Sequence, residues 1–205
     1  MKITLEQIGR RFNREWIFKN VNYTFESGKS YAILGANGSG KSTLLQVISG
    51  SLTSSEGKLN YSNNGLKIDI ENVFPELSIA APYLDLIEEF TLNEHIDFHF
   101  QFKKYRDGYN KRTLIALLNL LHSEHKALKN FSSGMKQRVK LALAFCSDTK
   151  VLLLDEPTSN LDQQGVEWYV SLIRQFSTDR LVIVCSNQEH EYTFCDERLS
   201  VEDYK

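Results

Sequence analysis

The sequence of 205 residues is poor in cysteine and proline, and its formal net charge is only −2. Its three cysteines, Cys146, Cys185 and Cys195, are odd in number and lack the spacing of a zinc site, which predicts reduced thiols in a cytosolic protein. The near-zero charge gives no bulk attraction to nucleic acid or to an anionic membrane surface. We therefore expect no nucleic-acid partner.

Long hydrophobic runs are also missing. The longest, such as LIALLNLL at 114–121, fall far short of the ~20 apolar residues that span a bilayer. The chain starts with MKITLEQIGR, which turns polar too soon for a signal peptide. These absences predict a soluble protein. The three prolines mark no linker, so we expect a single domain over residues 1–205.

The rest of the sequence follows an alternating α/β pattern. Apolar runs typical of buried strands end at glycine or at acids, and a helical pattern occupies the middle of the chain. The predicted elements are strands at 29–35, 57–61, 66–70, 77–81, 150–157 and 180–187, a helix at 41–50, and a helical region from Thr91 to about Lys129. One α/β domain with a helical lobe inserted in its middle fits this order.

The stretch GANGSGKST at 35–43 lies between a predicted strand and a predicted helix. Its spacing is that of a phosphate-binding loop, G-x4-G-K-[ST]. Glycines let successive N–H groups point at an anion, and the following helix adds its positive N-terminal end. Lys41 is expected to reach the β- and γ-phosphates, and Ser42 to offer its hydroxyl to Mg²⁺. The predicted nucleotide-binding residues are Gly35, Ala36, Asn37, Gly38, Ser39, Gly40, Lys41, Ser42 and Thr43.

The run VLLLDEP ends another predicted strand with two adjacent acids, Asp155 and Glu156. In this arrangement the strand-end aspartate holds Mg²⁺, and the next carboxylate orients or deprotonates a water molecule. Together with the phosphate-binding loop, the two acids predict Mg²⁺-dependent ATP hydrolysis. Ser42 and Asp155 are the expected metal ligands, and Lys41 and Glu156 the expected catalytic residues.

The segment KNFSSGMKQRVKLALAF at 129–145 separates this chain from other proteins with such a loop. It resembles the signature of the ATP-binding cassette (ABC) family, LSGGQ followed by a basic amphipathic helix, with Phe131 to Met135 in the five places. The stretch SNLD at 159–162 resembles the D-loop of the same family. The order of the motifs agrees as well, and the resemblance covers nearly the whole chain.

The resemblance implies an α/β fold: a P-loop NTPase core with a mainly parallel sheet, a small antiparallel β subdomain and an α-helical subdomain inserted at about 84–148. It also implies the function of an ATP-hydrolysing subunit of an ABC transporter. Such a subunit binds ATP and Mg²⁺, forms an ATP-dependent head-to-tail homodimer, and drives transmembrane permease subunits from the cytoplasmic face of the membrane.

The family pattern also assigns residues outside the phosphate-binding loop. In a head-to-tail dimer, Ser132 and Gly134 act catalytically by closing over the γ-phosphate held by the other subunit, and Asp162 lies at the subunit contact. Phe12 is the residue expected to stack on adenine, and Trp16 is the rival candidate for that place.

Two departures from the family pattern bear on hydrolysis. The family usually has a glutamine after the strand that precedes the helical lobe, whereas Pro82 or Tyr83 falls there in this chain. The family's switch histidine is replaced by Asn187, which we expect at the γ-phosphate in a catalytic role. Its amide can donate a hydrogen bond but cannot carry positive charge. His190 lies three residues further on, and we expect it to be beyond reach of the nucleotide.

Two other functions stay open at this point. One is a soluble ABC ATPase that acts on ribosomes or DNA, although the chain has neither a second cassette nor a long heptad insertion. The other is a regulatory module that hydrolyses ATP slowly, which the two departures suggest. His95 and His99 lie four residues apart on a predicted helix, and we expect them on a surface face rather than at a metal site. The transported substrate and the direction of transport are not specified by these motifs.

Overall fold

The computed structural model describes residues 1–205, apart from the side chain of Leu121. In chain order the strands and α-helices are β1 (Lys2–Phe12), β2 (Glu15–Glu26), β3 (Ser30–Leu34), α1 (Lys41–Ile48), β4 (Glu56–Asn63), β5 (Leu66–Ile68), β6 (Leu77–Ala80), α2 (Leu92–Phe102), α3 (Lys111–Leu118), α4 (Ser133–Cys146), β7 (Val151–Asp155), α5 (Gln163–Phe176), β8 (Leu181–Cys185), α6 (Glu189–Tyr192) and β9 (Glu197–Ser200).

The central sheet is parallel and is buried on both faces. Its strands lie in the order β6-β7-β8-β3-β9, and every residue of β7 and β8 is buried. Successive side chains of a strand point to opposite faces. Accordingly, Leu152 and Leu154 contribute to one hydrophobic core, and Val151 and Leu153 to the other. This two-sided burial explains the continuous apolar runs of the sequence.

The second sheet is antiparallel, with the strand order β2-β1-β4-β5. Its buried side chains, among them Ile3, Leu5 and Phe18, share a core with α1 and with one face of the central sheet. The strands predicted at 57–61 and 66–70 are β4 and β5 of this sheet. The strand predicted at 77–81 is β6, at the edge of the parallel sheet. The predicted combination of a parallel core and a small antiparallel sheet is confirmed.

A helical lobe lies between β6 and β7 in the chain. The predicted helical region contains α2 and α3. Both helices begin with a capping box, in which the side chain of each of two residues bonds to the backbone N–H of the other. The pairs are Thr91 with Glu94 and Asn110 with Thr113. Together with α4 and α5, these helices cover the second face of the central sheet. In the described chain, no helix is both long and apolar enough to cross a lipid bilayer.

The two histidines of α2 differ from expectation. His95 is buried, and His99 is half-buried with its Nε2 2.9 Å from the Ser147 hydroxyl. Burial lowers the pKa of both rings, that of His99 to about 4, so both are neutral at pH 7. The expectation of a surface face is therefore wrong for this pair, because α2 turns this side towards an apolar groove of the lobe.

Candidate nucleotide-binding site

Three neighbouring strands of the central sheet deliver the predicted site residues to one edge. Because β7, β8 and β3 are adjacent and parallel, their carboxyl ends meet at the same side of the sheet. The phosphate-binding loop follows β3, Asp155 and Glu156 end and follow β7, and Asn187 comes shortly after β8. Motifs more than 100 residues apart in sequence thus converge.

The phosphate-binding loop, residues 35–43, curls around the ammonium group of Lys41. Its Nζ donates to the carbonyl oxygens of Gly35, at 2.8 Å, and Ala36, at 3.1 Å. Gly40 has a φ of +103°, and a Cβ there would lie 2.4 Å from the Ile17 side chain, so only glycine fits. The loop borders a cavity of about 200 Å³, lined by Ile17, Asn37, Gly38, Gly40, Lys41, Ser42, Thr43 and Glu156.

Residues near the far end of the chain hold the loop from outside. The Ala36 N–H donates to the Glu202 carboxylate at 2.8 Å, and the Lys205 ammonium donates to the Ser39 carbonyl at 2.7 Å. Neither contact is marked by a local motif, because each joins residues 166 positions apart, and so neither could be predicted from the sequence.

Asp155 is a buried carboxylate without a hydrogen-bond partner among the described side chains: neither of its oxygens is satisfied. Burial raises its pKa to about 6, against the effect of the nearby Ser42 hydroxyl. A buried, unsatisfied carboxylate is costly unless a cation pairs with it. Carboxylate and hydroxyl oxygens are also the ligands that Mg²⁺ prefers. Ser42 and Asp155 therefore fit a Mg²⁺ ion.

Glu156 lies at the rim of the same cavity in an unusual backbone conformation. Its φ is +42°, which is rare for a residue with a side chain. The backbone N–H donates to the Cys185 carbonyl at 2.9 Å, which ties this residue to the end of β8. Left-handed residues of this kind cluster at functional sites, where the surrounding structure compensates their strain.

Asn187 contacts the phosphate-binding loop directly. Its amide donates to the Asn37 side-chain oxygen at 2.5 Å. His190 does not line the cavity: its Nε2 lies 3.1 Å from the Thr158 hydroxyl, in the segment that follows Glu156. Of these two residues, Asn187 is the one whose side chain contacts the phosphate-binding loop, and its role at the γ-phosphate stays a prediction.

Tyr83, three residues after the end of β6, lies near Asp155. The residue is 40% exposed, yet desolvation of its phenol raises the pKa, and the nearby Asp155 charge raises it further. The Gln46 side chain on α1 lies beside the phenol and favours its ionised form. The carbonyls of Ala81 and Pro82, just before it, are held by the Lys140 ammonium. A phenol therefore stands close to the place where the family has its glutamine.

The signature segment forms a second cavity. Ser132 caps α4 by accepting from the Met135 N–H at 3.2 Å. A Cβ on Gly134 would lie 2.9 Å from the Asn160 carbonyl, so glycine allows the helix to approach the D-loop. This cavity of about 300 Å³ is lined by Ser132, Ser133, Gly134, Met135, Arg138, Asn160, Leu161 and Asp162. Among the described lining residues, none is shared with the cavity at the phosphate-binding loop.

The two aromatic candidates for adenine stacking flank the turn between β1 and β2. Phe12 is exposed, with the Arg10 guanidinium 4.5 Å from its ring centre, and Trp16 lies beneath Arg11 and Lys19. Neither ring lines the phosphate cavity, whereas Ile17 does, a residue that sequence analysis did not select. The assignment of Phe12 stays a prediction.

Comparisons with known proteins agree with these motifs. The model of the family described as "ABC transporter" matches residues 18–159. The chain is 27% identical over 202 residues to the uncharacterized ABC transporter ATP-binding protein YybJ of Bacillus subtilis, covering 97% of this chain and 92% of YybJ. It is 30% identical over 200 residues to the energy-coupling factor transporter ATP-binding protein EcfA1 of Thermotoga maritima, covering 94% of this chain and 74% of EcfA1.

A solved structure shares the fold. The dimeric structure of MJ0796, a bacterial ABC transporter cassette, superposes with a TM-score of 0.81 and 23% sequence identity, covering 97% of this chain and 94% of that one. At this level of identity the likeness concerns the fold alone.

The unpaired carboxylate of Asp155 should lower the stability of the metal-free protein. Asp155→Asn keeps the shape and removes the buried charge, so we expect it to raise the melting temperature at pH 7 in EDTA by about 4 °C or more, while Mg²⁺-dependent ATP turnover is largely lost. Thermal melts and ATPase assays measure both. Asp107→Asn, at an exposed carboxylate, is the matched control and should change neither. A variant that melts below the parent would contradict this assignment.

Proposed function

Because the chain belongs to the ABC transporter family and is one of its ATPase subunits, we propose that two copies pair head to tail over two ATP molecules and drive separate transmembrane permease subunits. On this proposal the chain acts at the inner face of the membrane, held there by its permease partner. The observation that carries this proposal is that one chain has two cavities, each at the N-terminal end of an α-helix, which share no described lining residue.

The cavity at Ser132 forms one half of a nucleotide site that two copies of the chain share in this proposal. Around Ser132 the N-terminal turn of α4 presents backbone N–H groups and the positive end of the helix dipole, and the Ser132 hydroxyl is exposed there. One ATP molecule bound at the loop 35–43 does not need this site in the same chain. A second copy, rotated by a two-fold axis, brings Ser132 and Gly134 to the γ-phosphate held by the first.

Each residue of the loop site has a role in this proposal. Lys41 neutralises charge on the β- and γ-phosphates, and the loop N–H groups bind the phosphate oxygens. Ser42 and Asp155 hold Mg²⁺, which when bound supplies charge neutralisation of the phosphate oxygens. Glu156 orients or deprotonates the attacking water, and the Asn187 amide donates to the γ-phosphate.

An apolar groove beside α2 fits a permease segment. It encloses about 340 Å³, and its lining includes Phe74, Phe98 and Phe102, three exposed phenylalanines. The chain that leaves β6 also lines the groove, at Leu84 and Ile87, and Tyr83 of the same segment lies close to Asp155. A hydrophobic segment of the permease seated here would therefore press on the chain next to the metal ligands.

A slowly hydrolysing module is the second candidate, and Asn187 is the observation that favours it. A neutral amide makes a weaker hydrogen bond to a phosphate oxygen than a charged imidazolium does. The same chain would then bind ATP and pair, but turn over slowly. Variants of Glu156, of the apolar groove and of Asn187 test pairing, coupling to the permease and the rate of hydrolysis separately.

Pairing is tested with Glu156→Gln, which keeps the shape of the side chain and removes its basicity. We expect this variant to retain ATP and to shift from monomer to dimer when Mg²⁺–ATP is added, doubling the mass seen by sedimentation or light scattering. Glu167→Gln, an exposed position on α5, is the control and should hydrolyse ATP like the parent. A Glu156→Gln protein that stays monomeric at high concentration with saturating Mg²⁺–ATP would count against head-to-tail pairing.

Coupling is tested at the groove with the double variant Phe98→Ser and Phe102→Ser. The permease, identified from the neighbouring reading frames, is co-expressed and purified with the chain. We expect the variant to lose co-purification and stimulation by the permease, with basal ATPase activity unchanged, because apolar contact area is removed away from the nucleotide. Leu66→Ser, at the exposed edge strand β5, is the control. Normal co-purification of the double variant would refute the groove as the contact.

Turnover is tested at Asn187. We expect Asn187→His to raise the ATPase rate, because a charge-assisted hydrogen bond exceeds a neutral one by about 1–1.5 kcal/mol, which in the transition state corresponds to roughly 5- to 10-fold. Asn187→Ala should lower the rate below that of the parent. Melting temperatures of both variants show whether stability changes as well. An alanine variant that turns over normally would remove Asn187 from the site.

A further inference from the structure

A fully buried carboxylate joins the two loops that carry Glu156 and Asn187. Glu191, on the short helix α6, has no solvent exposure. One carboxylate oxygen, Oε1, accepts from the Thr158 backbone N–H at 2.7 Å and from the Thr158 hydroxyl. The other, Oε2, accepts from the Ser186 hydroxyl. Thr158 lies two residues after Glu156, and Ser186 directly precedes Asn187.

No ion pair of the described residues includes Glu191. Its three hydrogen-bond donors are neutral groups, and they come from the segments after β7 and after β8. Burying a charge without a cation beside it costs free energy of folding. Neutral groups could hold two loops together without this cost, so a purely structural contact does not require a carboxylate. Charge-assisted hydrogen bonds are stronger and more directional than neutral ones, so this carboxylate fixes both segments with respect to each other.

The surrounding contacts extend the link in both directions. The Thr158 carbonyl accepts from the N–H of Leu161, a D-loop residue, at 3.0 Å. The Ser186 hydroxyl accepts from the Gln188 N–H at 2.8 Å, which closes the turn that presents Asn187. Tyr169 on α5 donates to the Glu191 carbonyl at 3.0 Å and anchors the helix itself.

We propose that Glu191 is a positioning residue for ATP hydrolysis: it locks the loop of Glu156 to the loop of Asn187, so that the water-activating carboxylate and the γ-phosphate donor keep one relative geometry. The inference rests on the proposed roles of these two residues. Glu191 touches neither the phosphate cavity nor the signature cavity in its own chain. It should therefore govern the rate of the chemical step and not the binding of ATP.

The experiment compares Glu191→Ala, which removes the link, with Glu191→Gln, which keeps one oxygen acceptor for Thr158 and can donate to Ser186. We expect kcat to fall by about tenfold or more in the alanine variant and by less in the glutamine variant, with KM for ATP within about twofold of the parent.

Thr158→Val, combined with Glu191→Ala, should add little further loss, because both changes break the same link. Glu189→Gln, exposed on the same helix, is the control.

Hydrogen exchange gives a reading that does not depend on activity. We expect faster amide exchange at 156–162 and also at 184–188 in folded Glu191→Ala, with exchange in α1 unchanged. Faster exchange confined to α6, or a folded alanine variant with the parent's kcat, would overturn the positioning role. An inactive parent protein would instead count against the proposed hydrolysis, and the exchange result would still decide whether Glu191 links the loops.

Discussion

The parallel pairing of β7, β8 and β3 is the constraint on which the rest of the structure depends. It requires both faces of these strands to be buried, which is why a helical lobe covers one face and the antiparallel sheet covers the other. It also fixes where each strand ends. A loop, an acid pair and an amide that have no sequence relation to each other are thereby placed along one edge.

The parts of the fold and of the site that could be predicted from the sequence are those marked by short local motifs. The loop 35–43 and the pair Asp155 and Glu156 have short spacings tied to strand ends, so the fold class and these residues could be predicted from sequence. Ile17, Glu191 and Glu202 could not, because no local motif marks their contacts, which depend on tertiary packing. The surface expectation for His95 and His99 failed for the same reason: helical spacing defines a face but not what packs against it.

The two departures from the family pattern both follow strands of the central sheet, at the edge that carries the phosphate-binding loop. Asn187 stands where a charged group is usual and is hydrogen-bonded to the phosphate-binding loop. Tyr83 brings a phenol towards Asp155 from the strand that leads into the apolar groove. Neither side chain carries a charge at pH 7, and desolvation moves the pKa of the phenol still further above its usual value. Neither departure therefore adds a side-chain charge to the edge that already holds Lys41, Asp155 and Glu156.

If Asp155 holds Mg²⁺ as proposed, its unsatisfied carboxylate also makes the stability of this chain depend on the supply of Mg²⁺–ATP. A protein that is destabilised when empty gains stability from whatever fills the site, by an amount that grows with ligand concentration over its dissociation constant. When cellular Mg²⁺–ATP falls, a larger fraction of the chain opens and becomes accessible to chaperones and proteases.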